Sequence, residues 1–184
     1  MLMVEREVKL RFDNPEQARR AIRAAGATPL RSRRLQEDVL LDTEDEVLRR
    51  RRCVLRIRTE AGKSLLTFKG PVQPGAVKIR DEYETVVGDG EVLRHVLEEL
   101  GLHVWFRYEK YREEYAAEDV TIALDETPVG TFVEIEGGEP GIHAMTQALG
   151  RSAADFILDS YRGLFVQHRA RHGFDTEHMV FAEE

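Results

Sequence analysis

Cysteine is almost absent: Cys53 is the only one in 184 residues. No internal disulfide can form, and the composition fits a reducing compartment, so a cytoplasmic location is expected. Proline is scarce and scattered, and no stretch looks like a linker. One domain is therefore expected over residues 1–172, followed by a frayed tail over residues 173–184. No apolar run is long enough to span a membrane. The N-terminal Met1-Leu2-Met3-Val4-Glu5 lacks a basic segment followed by an apolar one, so no signal peptide is evident. Positive charge is not in excess either. The formal net charge is -7, which argues against a nucleic-acid coat and predicts no nucleic-acid partner.

What the chain has in quantity is charge of both signs, 33% of its residues, above the ordinary share of ~25%. The charges follow a period of two. Val8, Leu10 and Phe12 share one parity; Glu5, Glu7, Lys9 and Arg11 share the other, which predicts a strand with one fully charged face. The same alternation sets Arg56 and Arg58 against Leu55 and Ile57, and Lys69 against Leu66 and Phe68. Further on, Lys78, Arg80, Glu82 and Glu84 form one face. Over residues 106–115, Lys110 and Arg112 fall in phase with Phe106 and Tyr108. Asp125 opposes Ile122 and Leu124, and Glu134 and Glu136 oppose Val133 and Ile135. A strand over residues 37–43 has Asp38 and Asp42 in phase. Ala61-Gly62-Lys63 and Thr127-Pro128-Val129-Gly130 suit tight hairpins. Seven or eight strands result, mostly pairing with sequence neighbours and so antiparallel.

Helices are predicted over residues 15–25, 91–100 and 141–149, each stopped by a glycine. Ser152 starts a short helix, and another covers residues 160–172. Amphipathic helices of this kind can also support a homodimer. A charged strand face is ordinarily just a solvated one. Here, however, Arg, Glu and Asp fill almost every slot of successive strands. If the apolar faces pack against helices outside, the sheet can curl into a barrel with its charges inward. The fold class is then α+β, an eight-stranded antiparallel barrel with a charged lumen, basic on balance. Buried charges need partners or a ligand. Arginine forks suit phosphate, and clustered carboxylates suit Mg²⁺ or Mn²⁺. Together they point to a polyphosphate carrying its divalent cation.

Glu5-Arg6-Glu7-Val8-Lys9 is an ExExK run. Gln36-Glu37-Asp38 with Leu41-Asp42-Thr43, Leu55-Arg56-Ile57-Arg58, Leu66-Thr67-Phe68-Lys69-Gly70-Pro71, Arg80-Asp81-Glu82-Tyr83-Glu84 and Lys110-Tyr111-Arg112 follow it in order. Leu124-Asp125, Phe132-Val133-Glu134-Ile135-Glu136 and Ser160-Tyr161 complete the set. In that order the chain resembles the CYTH domain, or triphosphate tunnel metalloenzyme, family over roughly residues 3–165. The departures are Leu41, where an aromatic is common, and Asp159, where a basic residue is expected.

The resemblance implies a tunnel that takes a triphosphate. The clamp would be Lys9, Arg56, Arg58, Lys69, Arg80, Lys110 and Arg112. The Mg²⁺ or Mn²⁺ ligands would be Glu5, Glu7 and Glu136, with Glu134 near. Glu82, Glu84 and Asp125, with Lys69, are the implied catalytic set: they hold a second metal, orient water or fix the basic residues. Hydrolysis of the terminal phosphate of inorganic, thiamine or nucleoside triphosphate is the leading expectation, because only the polyphosphate must be recognised. The rival within the family is class IV adenylate cyclisation of ATP to cyclic AMP and pyrophosphate. A non-catalytic phosphoanion-binding module is the rival from another class.

Several motifs are read as bland. Gly62-Lys63-Ser64 lacks the leading glycine of a P-loop, since Ile57 stands there. The run Arg49 to Arg52 is read as a solvated loop or helix end that can draw anions toward the tunnel. His168 and His172 are read as surface histidines, and Trp105, Phe106 and Tyr108 as packing.

Overall fold

Alternating charge and apolarity build the whole molecule. The computed structural model describes residues 2–173 and 176–182. These form eight strands: β1 (Leu2–Phe12), β2 (Thr28–Thr43), β3 (Val54–Glu60), β4 (Lys63–Lys69), β5 (Lys78–Val87), β6 (Leu102–Ala117), β7 (Val120–Thr127) and β8 (Gly130–Gly137). All pair antiparallel in the order β1-β5-β4-β3-β2-β6-β7-β8, and β8 returns to β1, closing the barrel. Closure leaves no free sheet edge to aggregate. Both expected hairpins are present. Between β3 and β4, Ala61 and Gly62 take φ of 48° and 74°, the left-handed pair that a two-residue hairpin requires.

Five helices accompany the strands: α1 (Pro15–Ala24), α2 (Val47–Arg50), α3 (Gly90–Glu99), α4 (Glu139–Ala148) and α5 (Tyr161–His172). The Asn14 side chain caps α1 by accepting from the Gln17 N–H at 2.8 Å, and Pro15 sits where its missing N–H costs nothing. Asp89 caps α3 and Ser160 caps α5 in the same way. The single turn of α2 is too short to leave a periodic signal.

The apolar core lies outside the barrel wall. Val8 and Leu10 of β1, Ile122 and Leu124 of β7 and Val133 and Ile135 of β8 pack under Ala18 and Ile22 of α1 and Ile142 and Met145 of α4. A second cluster closes one barrel end. There Phe106, Tyr108 and Phe132 meet Tyr161, Leu164 and Phe165 of α5. This places α5 at the tunnel despite the unexpected Asp159.

Two expectations need correction. Strands β2 and β6 are longer than the alternation suggested. Arg31, Arg33 and Arg34 put charge on both faces of β2, and register shifts interrupt its pairing with β6, so no clean parity survives. The segment after Gly173 is not wholly frayed. Met179 is fully buried, its N–H donating to the Arg107 carbonyl at 3.0 Å and its carbonyl accepting from the Glu109 N–H at 2.8 Å. Its side chain fills the rim of the second cluster, which gives residues 176–182 a place along β6.

Candidate functional site

One parity of each strand points into the barrel. Glu5, Glu7, Lys9, Arg56, Arg58, Lys69, Lys78, Arg80, Glu82, Glu84, Lys110, Arg112, Glu134 and Glu136 line a single cavity of about 570 Å³. Every residue of the implied clamp and metal set is therefore on one wall system. Asp125 stands behind that wall, fully buried. Arg11 is a correction. Its parity is inward, but it lies beyond the lumen, exposed, with its guanidinium over the Phe132 ring at 4.7 Å. Parity predicts a face and not a depth. With Arg11 outside, and the fully buried Asp38 and Asp125 counted with the six lining carboxylates, eight cations meet eight carboxylates; the expected basic excess disappears, and the lumen is evenly matched.

The charges neutralise one another in interlocked groups. Lys69 Nζ lies 2.5 Å from Glu5 and 2.9 Å from Glu82, while Arg80 reaches Glu5 at 3.2 Å. Lys78 holds Glu7 at 2.5 Å, and Lys9 bridges Glu7 at 3.4 Å to Glu134 at 3.1 Å. Asp125 accepts from Lys110 at 2.8 Å, from Arg112 at 2.7 and 2.5 Å, and from the Tyr161 hydroxyl at 2.5 Å. Arg112 also bonds Glu134. Arg58 forks onto Asp38 at 2.9 and 3.2 Å, with Arg56 at 3.4 Å. Glu84 accepts from Thr67 at 2.9 Å, keeping about a third of its side chain exposed toward solvent.

Burial would push the carboxyls up, but the lysines and arginines win. Glu7 is held well below the carboxylate range by Lys9 and Lys78, and Asp38 below it by Arg58 and Arg56. Asp125 and Glu134 are held down similarly. Lys110 goes the other way: burial, then the Arg112 guanidinium, pushes it down to about 8. Lys78 is pushed to about 8, chiefly by burial.

Among the described residues, no three Asp, Glu, His or Cys side chains converge as a ready-made metal centre. The donor chemistry nevertheless fits a hard divalent cation, being carboxylate oxygen only. Glu136 carries the further sign. Burial, then repulsion from Glu5 and Glu7, pushes it up to about 7. The repulsion by Glu5 and Glu7 is one that a bound cation would relieve.

Residues of the motif runs that lie outside the implied clamp, metal and catalytic sets join the site. Asp38, Thr67 and Tyr161 take part directly in its ion and hydrogen-bond groups. The parity of Asp38 was visible in the sequence. Tyr161 depends on α5 folding back across the barrel. Of the bland motifs, Gly62-Lys63-Ser64 is a hairpin as expected. The His168 and His172 rings stack at 4.4 Å on α5.

Against known proteins, the family model for the CYTH domain matches residues 3–161. The chain is 30% identical over 135 residues to a protein of Methanocaldococcus jannaschii named a putative adenylate cyclase, covering 73% of this chain and 77% of that one. It is similar in fold to a solved putative adenylate cyclase from Vibrio parahaemolyticus, with a TM-score of 0.77 at 21% identity over 89% of this chain and 98% of that one. A putative adenylyl cyclase from Hippeastrum, described as having a dominant triphosphatase activity, matches with a TM-score of 0.64 at 21% identity over 91% and 96% of the two chains.

Proposed function

The chain belongs to the CYTH domain family, and from that premise we propose that it is a divalent-metal-dependent triphosphatase that hydrolyses the terminal phosphate of a small triphosphate compound. The observation that carries the reading is the evenly matched lumen. Its cations and carboxylates are interleaved around one cavity and are answered chiefly by each other. A triphosphate with a divalent cation brings both missing counter-charges at once. A plain anion would strand the carboxylates, and a plain cation the arginines.

In this reading Arg56, Arg58, Arg80 and Arg112 fork onto phosphoryl oxygens, and Lys9, Lys69 and Lys110 act as point charges beside them. Glu5, Glu7 and Glu136, with Glu134 near, would hold Mg²⁺ or Mn²⁺, which would neutralise charge developing on the phosphoryl oxygens. Glu82 and Glu84 orient water for attack on the terminal phosphorus. The bond to the bridging oxygen breaks, and a diphosphate and orthophosphate leave. Asp125 fixes Lys110 and Arg112 and takes no proton, since three donors already occupy it.

ATP cyclisation is the second reading, favoured by the name of the Methanocaldococcus jannaschii relative. It needs the ribose hydroxyl held in line with the α-phosphorus, a further requirement on the site. Incubation with Mg²⁺ or Mn²⁺ and either ATP or inorganic triphosphate separates the two. Orthophosphate release from both is expected; cyclic AMP with pyrophosphate would replace the lead. Glu7→Gln and Glu136→Gln are expected to lower turnover by at least ~100-fold, the loss typical of a disturbed charge-stabilising group, with circular dichroism unchanged. Wild-type turnover in either variant would remove that residue from the metal set.

A further inference from the structure

Glu136 sits at the far end of β8. The opposite mouth, where β3 and β6 begin and α5 crosses, is lined by Arg49, Arg52, Trp105 and Arg162. The same cavity reaches from the lumen cations to these residues.

Arg162 is the unexplained member. It stands in the first turn of α5, and its Nε and Nη1 are buried with no acceptor. Its guanidinium lies near the Trp105 and Phe106 rings, at 5.9 and 5.1 Å. Rings satisfy a cation only weakly compared with an anion. The charges bearing on it are positive, from Arg169 and Arg49, and with burial they weaken its hold on its proton. Arg49 is more fully accounted for. It meets Glu46 at 2.8 Å and the buried Asp42 at 3.4 Å, and it stacks on Trp105 at 4.4 Å. Asp159 lies on the same wall but makes no ion pair with Arg162 among the described residues. An under-satisfied guanidinium costs stability unless something compensates it. It stands at the N-terminal end of a twelve-residue helix, whose dipole also favours negative charge.

We propose that the mouth formed by Arg49, Arg52 and Arg162 is a further anion subsite that takes a phosphate beyond the three held in the lumen, so that the tunnel accepts linear phosphate chains longer than triphosphate. This rests on the triphosphate reading of the lumen and sets its polarity. The chain lies with its cation-binding part toward Glu136 and its extra phosphate under Arg162.

Trp105 is the only tryptophan and stands in this mouth, so its fluorescence reports on the subsite. The protein is titrated with inorganic triphosphate and with inorganic tetraphosphate, both in excess EDTA so that nothing turns over. Tetraphosphate is expected to bind about tenfold more tightly, the worth of one charge-assisted pair. Arg162→Gln should bring the two affinities within about twofold, and Arg162→Lys should recover part of the difference. Equal affinities in the wild type, or a preference that survives Arg162→Gln, would each overturn the subsite. Orthophosphate added to triphosphate-saturated protein is the remaining arm. A Trp105 response to it, without any gain for tetraphosphate, would show a site for a separate ion and overturn the chain extension. Turnover of triphosphate with Mg²⁺ in the same preparation tests the lumen reading independently.

Discussion

Asp38 is a buried carboxylate that answers two guanidiniums, Arg58 through both oxygens and Arg56 through one. Asp38→Asn leaves both cations under-compensated, and removing one partner of a buried pair costs about 3–5 kcal/mol. If the lumen takes phosphate, triphosphate should restore much of that loss. Thermal unfolding with and without triphosphate is expected to show a larger ligand-induced rise in Tm for Asp38→Asn than for wild type. Equal rises would separate Arg56 and Arg58 from the ligand. Lys110 makes a pH argument of opposite sign. Burial and Arg112 push it down to about 8, so above that pH its ammonium is increasingly lost. A bound phosphate favours the ammonium, and binding between pH 8 and 10 must draw a proton in. Metal-free triphosphate affinity should therefore fall as pH rises from 7 to 10. Calorimetry at pH 8.5 in two buffers of different ionisation enthalpy should show proton uptake, and none would mean Lys110 does not face the ligand. Both residues fall in the parts of β2 and β6, residues 37–43 and 106–115, whose parity the sequence displays. What parity hides is depth, as Arg11 shows, and pairing, since nothing in Gln36-Glu37-Asp38-Val39 indicates that Asp38 answers two arginines of β3.

At the scale of elements, β1, β3, β5 and β8 were legible because their two faces differ in most slots, with Arg6 and Asp81 as exceptions. Residues 28–36 of β2 were not, because Arg31, Arg33 and Arg34 break the alternation and register shifts re-phase the strand. The site's strands were thus readable, and its closure was not. Closure belongs to α5, where Tyr161, Leu164 and Phe165 fall on one helical face and are buried. Only the barrel end they cover gives that face a meaning. Tyr161 fastens the helix by its hydroxyl on Asp125, and its ring lies 5.1 Å from Lys9 Nζ and 4.7 Å from Lys110 Nζ. Tyr161→Phe keeps the ring and removes one hydrogen bond to a charged group, a loss of about 1.5–3 kcal/mol. Amide hydrogen exchange should accelerate in the first turns of α5 more than in α1, whose packing does not involve Tyr161. Uniform acceleration would mean that the hydroxyl serves global stability and does not pin this helix.

The whole molecule is inverted relative to an ordinary globule: its apolar core lies between barrel wall and helices, and its buried charge lies at the centre. The net charge of -7 conceals this, because the lumen is evenly matched and the excess lies elsewhere. The arrangement sets how stability depends on pH. Burial raises the carboxyls of Asp38, Asp125 and Glu134, yet the neighbouring arginines and lysines hold all three below their ordinary values. A carboxyl whose folded pKa lies below its unfolded one binds fewer protons folded than unfolded. Its contribution is complete above the unfolded value of ~4 and is lost as pH falls toward the folded one. Several such groups titrate together in one closed lumen, and the apolar clusters outside do not titrate at all. For these carboxyls, Tm should hold level from pH 7 to about 5 and then fall steeply below pH 4, with several protons taken up on unfolding. Scanning calorimetry from pH 7 to 2.5 measures this directly. Asp38→Asn should start lower at pH 7 and fall by less, because one of the titrating partners is gone. A Tm that stays level to pH 2.5 would show that the lumen pairs contribute nothing to folding, and that the outer core alone holds the barrel closed.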